Sequence, residues 1–357
     1  HEVQRVPQEL LEEIFSYASE GKANLTSYSL VCRAWTWPTR PYLFRVLNID
    51  TIIRRGTQRD ADKQTTSAMS SAYFAKSTAQ SIARFIAFLE AHPPIALLYQ
   101  RFLIGSRPWV DPVNSVVDDT IAQCLELTRN IRDLDAITTD APYSKALQKA
   151  VVRKLRSSVT ILSMVQDMVG MPLVAAAIRE APHLRELRVT VRDRLTPIVR
   201  AQESAADPTD HAHTRPVLRA LVVGKATHDL PPWLVSANCP AALSALRELT
   251  IHESTLHVAS VHAPLLAAVG ATLRALTLVS WDLDFSVDFG ALPALRRLRV
   301  CGMSLRAVSA GRAALVFKQL PRAPAPQLEH VELVFTPVRA MDERMKPVRA
   351  WQDFGEL

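Results

Sequence analysis

Cysteine is scarce: only Cys32, Cys124, Cys239 and Cys301 occur in 357 residues, and no two lie close together. Zinc ribbons need paired thiolates at short spacing, and small secreted scaffolds need dense disulfides, so neither organises this chain. Such sparse usage fits a reducing compartment. Glycine is also rare, with ten in all. No GxGxxG, Walker-type loop or Gly-x-Ser-x-Gly elbow is present, so nucleotide-cradling and hydrolase readings have no footing. Long apolar runs are missing too. The stretch from Val159 to Ile178 is broken by Gln166, Asp167 and Pro172, whereas a bilayer span needs about 20 mostly apolar residues. No membrane segment and no targeting segment are expected.

Charge of one sign is never concentrated. The net charge is +7, yet the densest basic groups are only Arg54-Arg55, Arg59 and Arg296-Arg297-Arg299. No Lys/Arg block tracks a phosphate backbone, and no aromatics interleave with these groups for base stacking. Nucleic acid is therefore not an expected partner. His211 and His213 beside Asp207 and Asp210 read as a polar loop rather than a metal site. His252, His257 and His262 are spaced by five, which aligns them on neither a strand nor a helix. No catalytic residues, metal or cofactor are expected, and the chain does not read as an enzyme.

What is present is apolar: 48% of residues are hydrophobic, enough for a sizeable core, and the length suggests about two domains. The N-terminal segment is the most specific. Pro7 suits a first helical turn, and Leu10, Leu11, Ile14, Phe15 and Ala18 form one helical stripe. Glu9, Glu12 and Glu13 lie near the helix start, where the macrodipole favours acid. Gly21 ends this element. A second helix is expected from Asn24 to Trp35, with Leu25, Tyr28, Leu30, Val31 and Trp35 apolar. A third apolar cluster follows Pro38 and Pro41, at Tyr42, Leu43, Phe44, Val46 and Leu47. Three such short helices cannot enclose all these side chains among themselves, so part of the apolar surface must face something else.

The ordered set Val6-Pro7 to Ile14-Phe15, Leu30-Val31-Cys32-Arg33 with Trp35, and Tyr42-Leu43-Phe44-Arg45 resembles the F-box. That segment plugs adaptor proteins into Skp–cullin–F-box (SCF) ubiquitin ligases. The resemblance covers residues 6 to about 49, with Val6 in place of the commoner Leu. It implies a three-helix domain over residues 1–49 that docks a Skp-family adaptor and, through it, a cullin. Carried over by position, Pro7, Leu10, Leu11, Ile14, Leu30, Val31 and Trp35 contribute to that interface or support it. The implied role is non-catalytic, in the cytoplasm and/or nucleus.

Residues 50–66 read as a polar connector, and 67–357 as a second, repetitive domain. Ile82, Phe85, Ile86 and Leu89 fit a helix, with His92-Pro93-Pro94 as its stop. The apolar run Ala96 to Ile104 reads as a strand. Alternation continues: Val116–Leu127 helical, Leu134–Ile137 extended, Tyr143–Leu155 helical, Val159–Met164 extended, Pro172–Glu180 helical. This is an α/β pattern of stacked strand–helix units.

From residue 180 to 335 a repeat is explicit. Leu-x-x-Leu-x-(Val/Ile/Leu) occurs at Leu184-Leu187-Val189, Leu218-Leu221-Val223, Leu246-Leu249-Ile251, Leu273-Leu276-Leu278 and Leu295-Leu298-Val300. A weaker copy is Leu328-Val331-Leu333. The first leucines are 34, 28, 27, 22 and 33 residues apart, and Leu256, Leu283 and Leu305 extend three copies. The pattern is similar to leucine-rich repeats. The Asn or Cys usual in that repeat is replaced by Ser254, Trp281 and Met303, so an irregular solenoid with parallel strands and outer helices is expected. Thr196–Pro216 and Arg322–Pro326 read as inserted loops.

Alternation along a strand then nominates a binding face. Glu186, Arg188 and Thr190, then Glu248, Thr250 and His252, then Thr277, Arg297, Arg299, His330 and Glu332 fall between the leucines and are expected on the concave side. The combined expectation is a substrate receptor of an SCF-type ligase that holds a target protein on its repeats. The alternative is a non-degradative F-box scaffold or repeat interaction module.

Overall fold

The computed structural model describes residues 40, 42–49, 51–52, 71–104, 114–138, 143–166, 171–191, 215–224, 230–253, 258–280, 287–303 and 327–335. They fall in two compact units, His1–Leu162 and Ser163–Leu357. The class is α/β, with ten strands among the described residues. In each unit the strands follow chain order, and the described pairings are parallel.

In the first unit β1 (Val46–Asn48) pairs with β2 (Arg101–Leu103), which pairs with β3 (Asp133–Thr138). β4 (Ile161–Gln166) begins here, Thr160 and Ile161 donating their N–H groups to the Arg132 carbonyl. Parallel strands need crossovers, and helices supply them. α1 (Ser71–Ala91) buries Ile82, Ile86 and Leu89 along one stripe. The described chain then enters a one-turn helix, α2 (Pro93–Ala96), with proline at the first positions where a missing N–H is harmless. α3 (Asn114–Leu127) packs on α1 and on α4 (Lys145–Ser157).

Ser144 caps α4, its Oγ accepting from Leu147 N–H at 3.2 Å. Asp118 and Asp119 of α3 fix that cap. Ser144 N–H donates to Asp118 Oδ2 at 2.7 Å, and its hydroxyl to Asp119 Oδ1 at 2.9 Å.

Two sequence expectations need correction. The run Ala96 to Ile104 is not one strand: Ala96 ends α2, and only Arg101–Leu103 is extended. Val46–Asn48, read as the end of the third N-terminal cluster, is the first described strand, in register with β2. Both differences have the same cause. Three-residue strands are too short to show a period.

The second unit carries β5 (Glu186–Val191), β6 (Ala220–Gly224), β7 (Glu248–Glu253), β8 (Ala275–Ser280), β9 (Arg297–Met303) and β10 (His330–Phe335). Its described helices are α5 (Met171–Arg179), α6 (Leu230–Val235) and α7 (Val258–Val269), of which α6 packs on α7. A 3-10 turn, Phe289–Ala291, precedes β9.

The repeated leucines form continuous buried rows. Leu187, Leu221, Leu249, Leu276 and Leu298 stand in register across five strands, each at most 1% exposed. Val189, Val223, Ile251, Leu278 and Val300 make a second row, all buried. In the last described strand Val331 continues the first row and is 36% exposed.

Candidate binding face

The seven residues assigned to the adaptor interface (Pro7, Leu10, Leu11, Ile14, Leu30, Val31 and Trp35) lie outside the described residues. So do Leu256, Leu283, Leu305, Ser254, Trp281, His211 and His213. The residues expected to bind a target are all described, and they share one face of β5–β10.

Register brings them into rows. The first reads Glu186, Ala220, Glu248, Ala275, Arg297, His330. The second reads Arg188, Val222, Thr250, Thr277, Arg299, Glu332. The third reads Thr190, Gly224, His252, Val279, Cys301, Val334. Because the leucines take the other face, these side chains are half-buried or exposed, except for Gly224.

Small residues shape the relief. β6 and β8 place Ala220, Gly224 and Ala275 beside Glu248 and His252, so the longer β7 side chains stand above short neighbours. Ala275 is short enough for Arg297 on β9 to reach past it to Glu248 on β7, Nη2 to Oε1 at 3.9 Å. Arg299 Nε lies 3.2 Å from Glu332 Oε2 on the next strand. Arg188 Nε donates to Glu186 Oε1 at 2.6 Å, two residues back on the same strand. Three carboxylates and three guanidiniums are thus paired on the face. Burial lowers the His252 imidazole below its ordinary value, so at neutral pH it is an uncharged donor and acceptor.

Two features escaped the sequence reading. In the first unit Arg101 Nε is 3.2 Å from Asp133, and its Nη2 3.4 Å from Asp135, with Arg101 and Asp133 in register. The Asp-x-Asp spacing was the available signal, since residues two apart share a strand face. A cavity of about 540 Å³ also opens among α1, α3 and α4. Ile86, Glu90, Glu126, Lys149 and Arg153 are among its lining residues, and the Arg153–Glu126 ion pair at 2.7 Å is part of that wall.

Among the described residues no group of three or more His, Cys, Asp or Glu could hold a metal ion. No described helix is long and apolar enough to cross a membrane. No family model matches the sequence, and no curated protein matches it.

Proposed function

We propose that the chain is a substrate-recognition adaptor of an SCF-type ubiquitin ligase. The N-terminal segment docks a Skp-family adaptor and through it a cullin. The strand array is a degenerate leucine-rich-repeat solenoid that holds a target protein. The observation that carries the reading is the ordered F-box-like set from Val6 to Arg45. The face of β5–β10 supports it, because paired charges over a floor of small and hydroxylated residues suit recognition of a polar protein surface. Glu186, Arg188, Glu248, His252, Arg297, Arg299, His330 and Glu332 are its contacts. The mechanism is proximity: holding the target beside a charged conjugating enzyme makes ubiquitin transfer effectively intramolecular.

The test is co-purification with a Skp-family adaptor. Because β1 begins at Val46 and pairs with β2, the informative truncation removes residues 1–39 rather than 1–49. The intact chain should form a stoichiometric complex, and the truncation should remain folded without binding. Substituting alanine for Pro7 and Leu10 together should cost about 2 kcal/mol or more of adaptor affinity. A folded intact chain that ignores the adaptor would sink the reading. Binding without ubiquitination of a captured partner would instead indicate the scaffold role.

A further inference from the structure

The first leucine of each clear repeat is followed by arginine: Leu184-Arg185, Leu218-Arg219, Leu246-Arg247, Leu273-Arg274 and Leu295-Arg296. These arginines are at least 22 residues apart in sequence, which is why the chain shows no basic block. In space they are consecutive neighbours. The Arg185 carbonyl accepts from Arg219 N–H at 2.7 Å, and that of Arg219 from Arg247 N–H at 2.9 Å. The Arg247 carbonyl accepts from Arg274 N–H at 2.8 Å, and that of Arg274 from Arg296 N–H at 2.9 Å. The backbone itself therefore stacks the five residues, one per strand, at the N-terminal edge of the parallel array. All five are exposed.

The row ends in acid. Glu329 occupies the sixth position, its N–H bonded to the Arg296 carbonyl and its carboxylate 3.3 Å from Arg296 Nη1. Arg185, Arg219, Arg247 and Arg274 have no carboxylate partner among the described residues. Four like charges held at strand spacing repel one another, a cost that a complementary anion removes. Three steps of about 4.8 Å give a ladder roughly 14 Å long, matching four or five residues of extended chain at about 3.3 Å each.

We infer that this arginine ladder is a docking edge for an acidic peptide segment of a partner protein. Guanidinium forks bind carboxylates in bidentate fashion. The residues immediately before the five leucines are His183, Val217, Ala245, Thr272 and Ala294. None is Phe, Tyr or Trp, so these positions offer none of the large aromatic platforms on which single-stranded nucleic acid stacks. The ladder is separate from the rows bearing Glu248 and Arg299, and its role does not depend on any link to a ligase.

The experiment is fluorescence anisotropy of a labelled octa-glutamate peptide with the full chain, run beside an octa-glutamine peptide. The glutamate peptide should bind, and should weaken as salt rises from about 50 to about 200 mM. Arg185→Gln/Arg219→Gln/Arg247→Gln/Arg274→Gln should lose at least about tenfold in affinity. A control of equal charge, Lys76→Gln/Arg84→Gln/Arg129→Gln/Lys145→Gln, should bind as the parent does. The pair Arg219→Gln/Arg247→Gln serves if the fourfold variant fails to fold. The inference is overturned if octa-glutamate does not bind the parent chain, or if it binds the ladder variant equally well. It is also overturned if an oligonucleotide of the same charge binds more tightly than the peptide.

Discussion

Lys154 Nζ donates to the Thr128 carbonyl at 2.9 Å, a buried bond that ties the last turn of α4 to the chain just past α3. Thr128 turns its hydroxyl back to the carbonyls of Cys124 and Leu125, so the lysine supplies what its own carbonyl needs. Lys154→Met would keep the bulk and leave that carbonyl unpaired. Urea denaturation should show a loss of about 1–3 kcal/mol. Burial pulls the lysine's pKa below its ordinary value, with Glu126 opposing and Arg129 and Arg153 reinforcing the shift. The unfolded chain then binds more protons than the fold between the two values. Stability therefore rises with pH through that window and is least below the folded value. The advantage of the parent over Lys154→Met should grow on the alkaline side. A gap that shrinks as pH rises would contradict the assignment.

Gly270, just beyond α7, is a packing requirement. A β-carbon there would overlap the carbonyl oxygen of Ala291 and sit 3.1 Å from that of Leu266. Both obstacles are backbone, so nothing can rotate away. Gly270→Ala should cost about 3 kcal/mol, at the upper end of ordinary overpacking. At Gly224 the nearest obstacle is Thr190 Oγ1 at 2.6 Å, a side chain able to change rotamer. Gly224→Ala should therefore be milder, and thermal melts of the two variants side by side would reverse the argument if their order were reversed.

The leucine row makes stability position-dependent. Leu276 is fully buried in the middle of its row, with Leu249 and Leu298 in register on either side. Leu276→Ala should cost about 2–5 kcal/mol. Val331 continues the row in β10 but is 36% exposed, so Val331→Ala should cost clearly less. Equal losses in denaturant titrations would mean that burial does not grade along the array.

Much of this was legible because periodicity reports burial directly. All five strong Leu-x-x-Leu-x-apolar copies supply buried residues, whereas Leu328, Val331 and Leu333 of the weak copy remain partly exposed. The alternation between those leucines likewise placed Glu186, Arg188, Glu248, His252, Arg297, Arg299, His330 and Glu332 on one face. Pairings between residues far apart in sequence were not legible. Nothing local indicates that Arg297 reaches Glu248 across a strand, since that depends on Ala275 being short. The arginine ladder was hidden for a related reason. Charge runs lie along the chain, while parallel strands stack charges across it. Proline misled at Pro93-Pro94, where a stop for α1 is also the start of α2.

The charges on the open face should be nearly dispensable for folding, which makes that face testable for binding. Arg299 and Glu332 are 3.2 Å apart, with side chains 52% and 42% exposed. Arg297 and Glu248 are 3.9 Å apart and each 63% exposed. Pairs this open contribute roughly 0–1 kcal/mol, because solvent and salt screen them and two long side chains lose freedom. The variant Glu248→Ala/Arg297→Ala/Arg299→Ala should therefore unfold within about 1 kcal/mol of the parent. Captured target protein should nonetheless fall sharply in pull-downs, since those positions supply the face's most exposed charges. Retained capture would move the binding surface elsewhere. A loss of stability well beyond about 1 kcal/mol would show that these pairs hold the array together rather than wait for a partner.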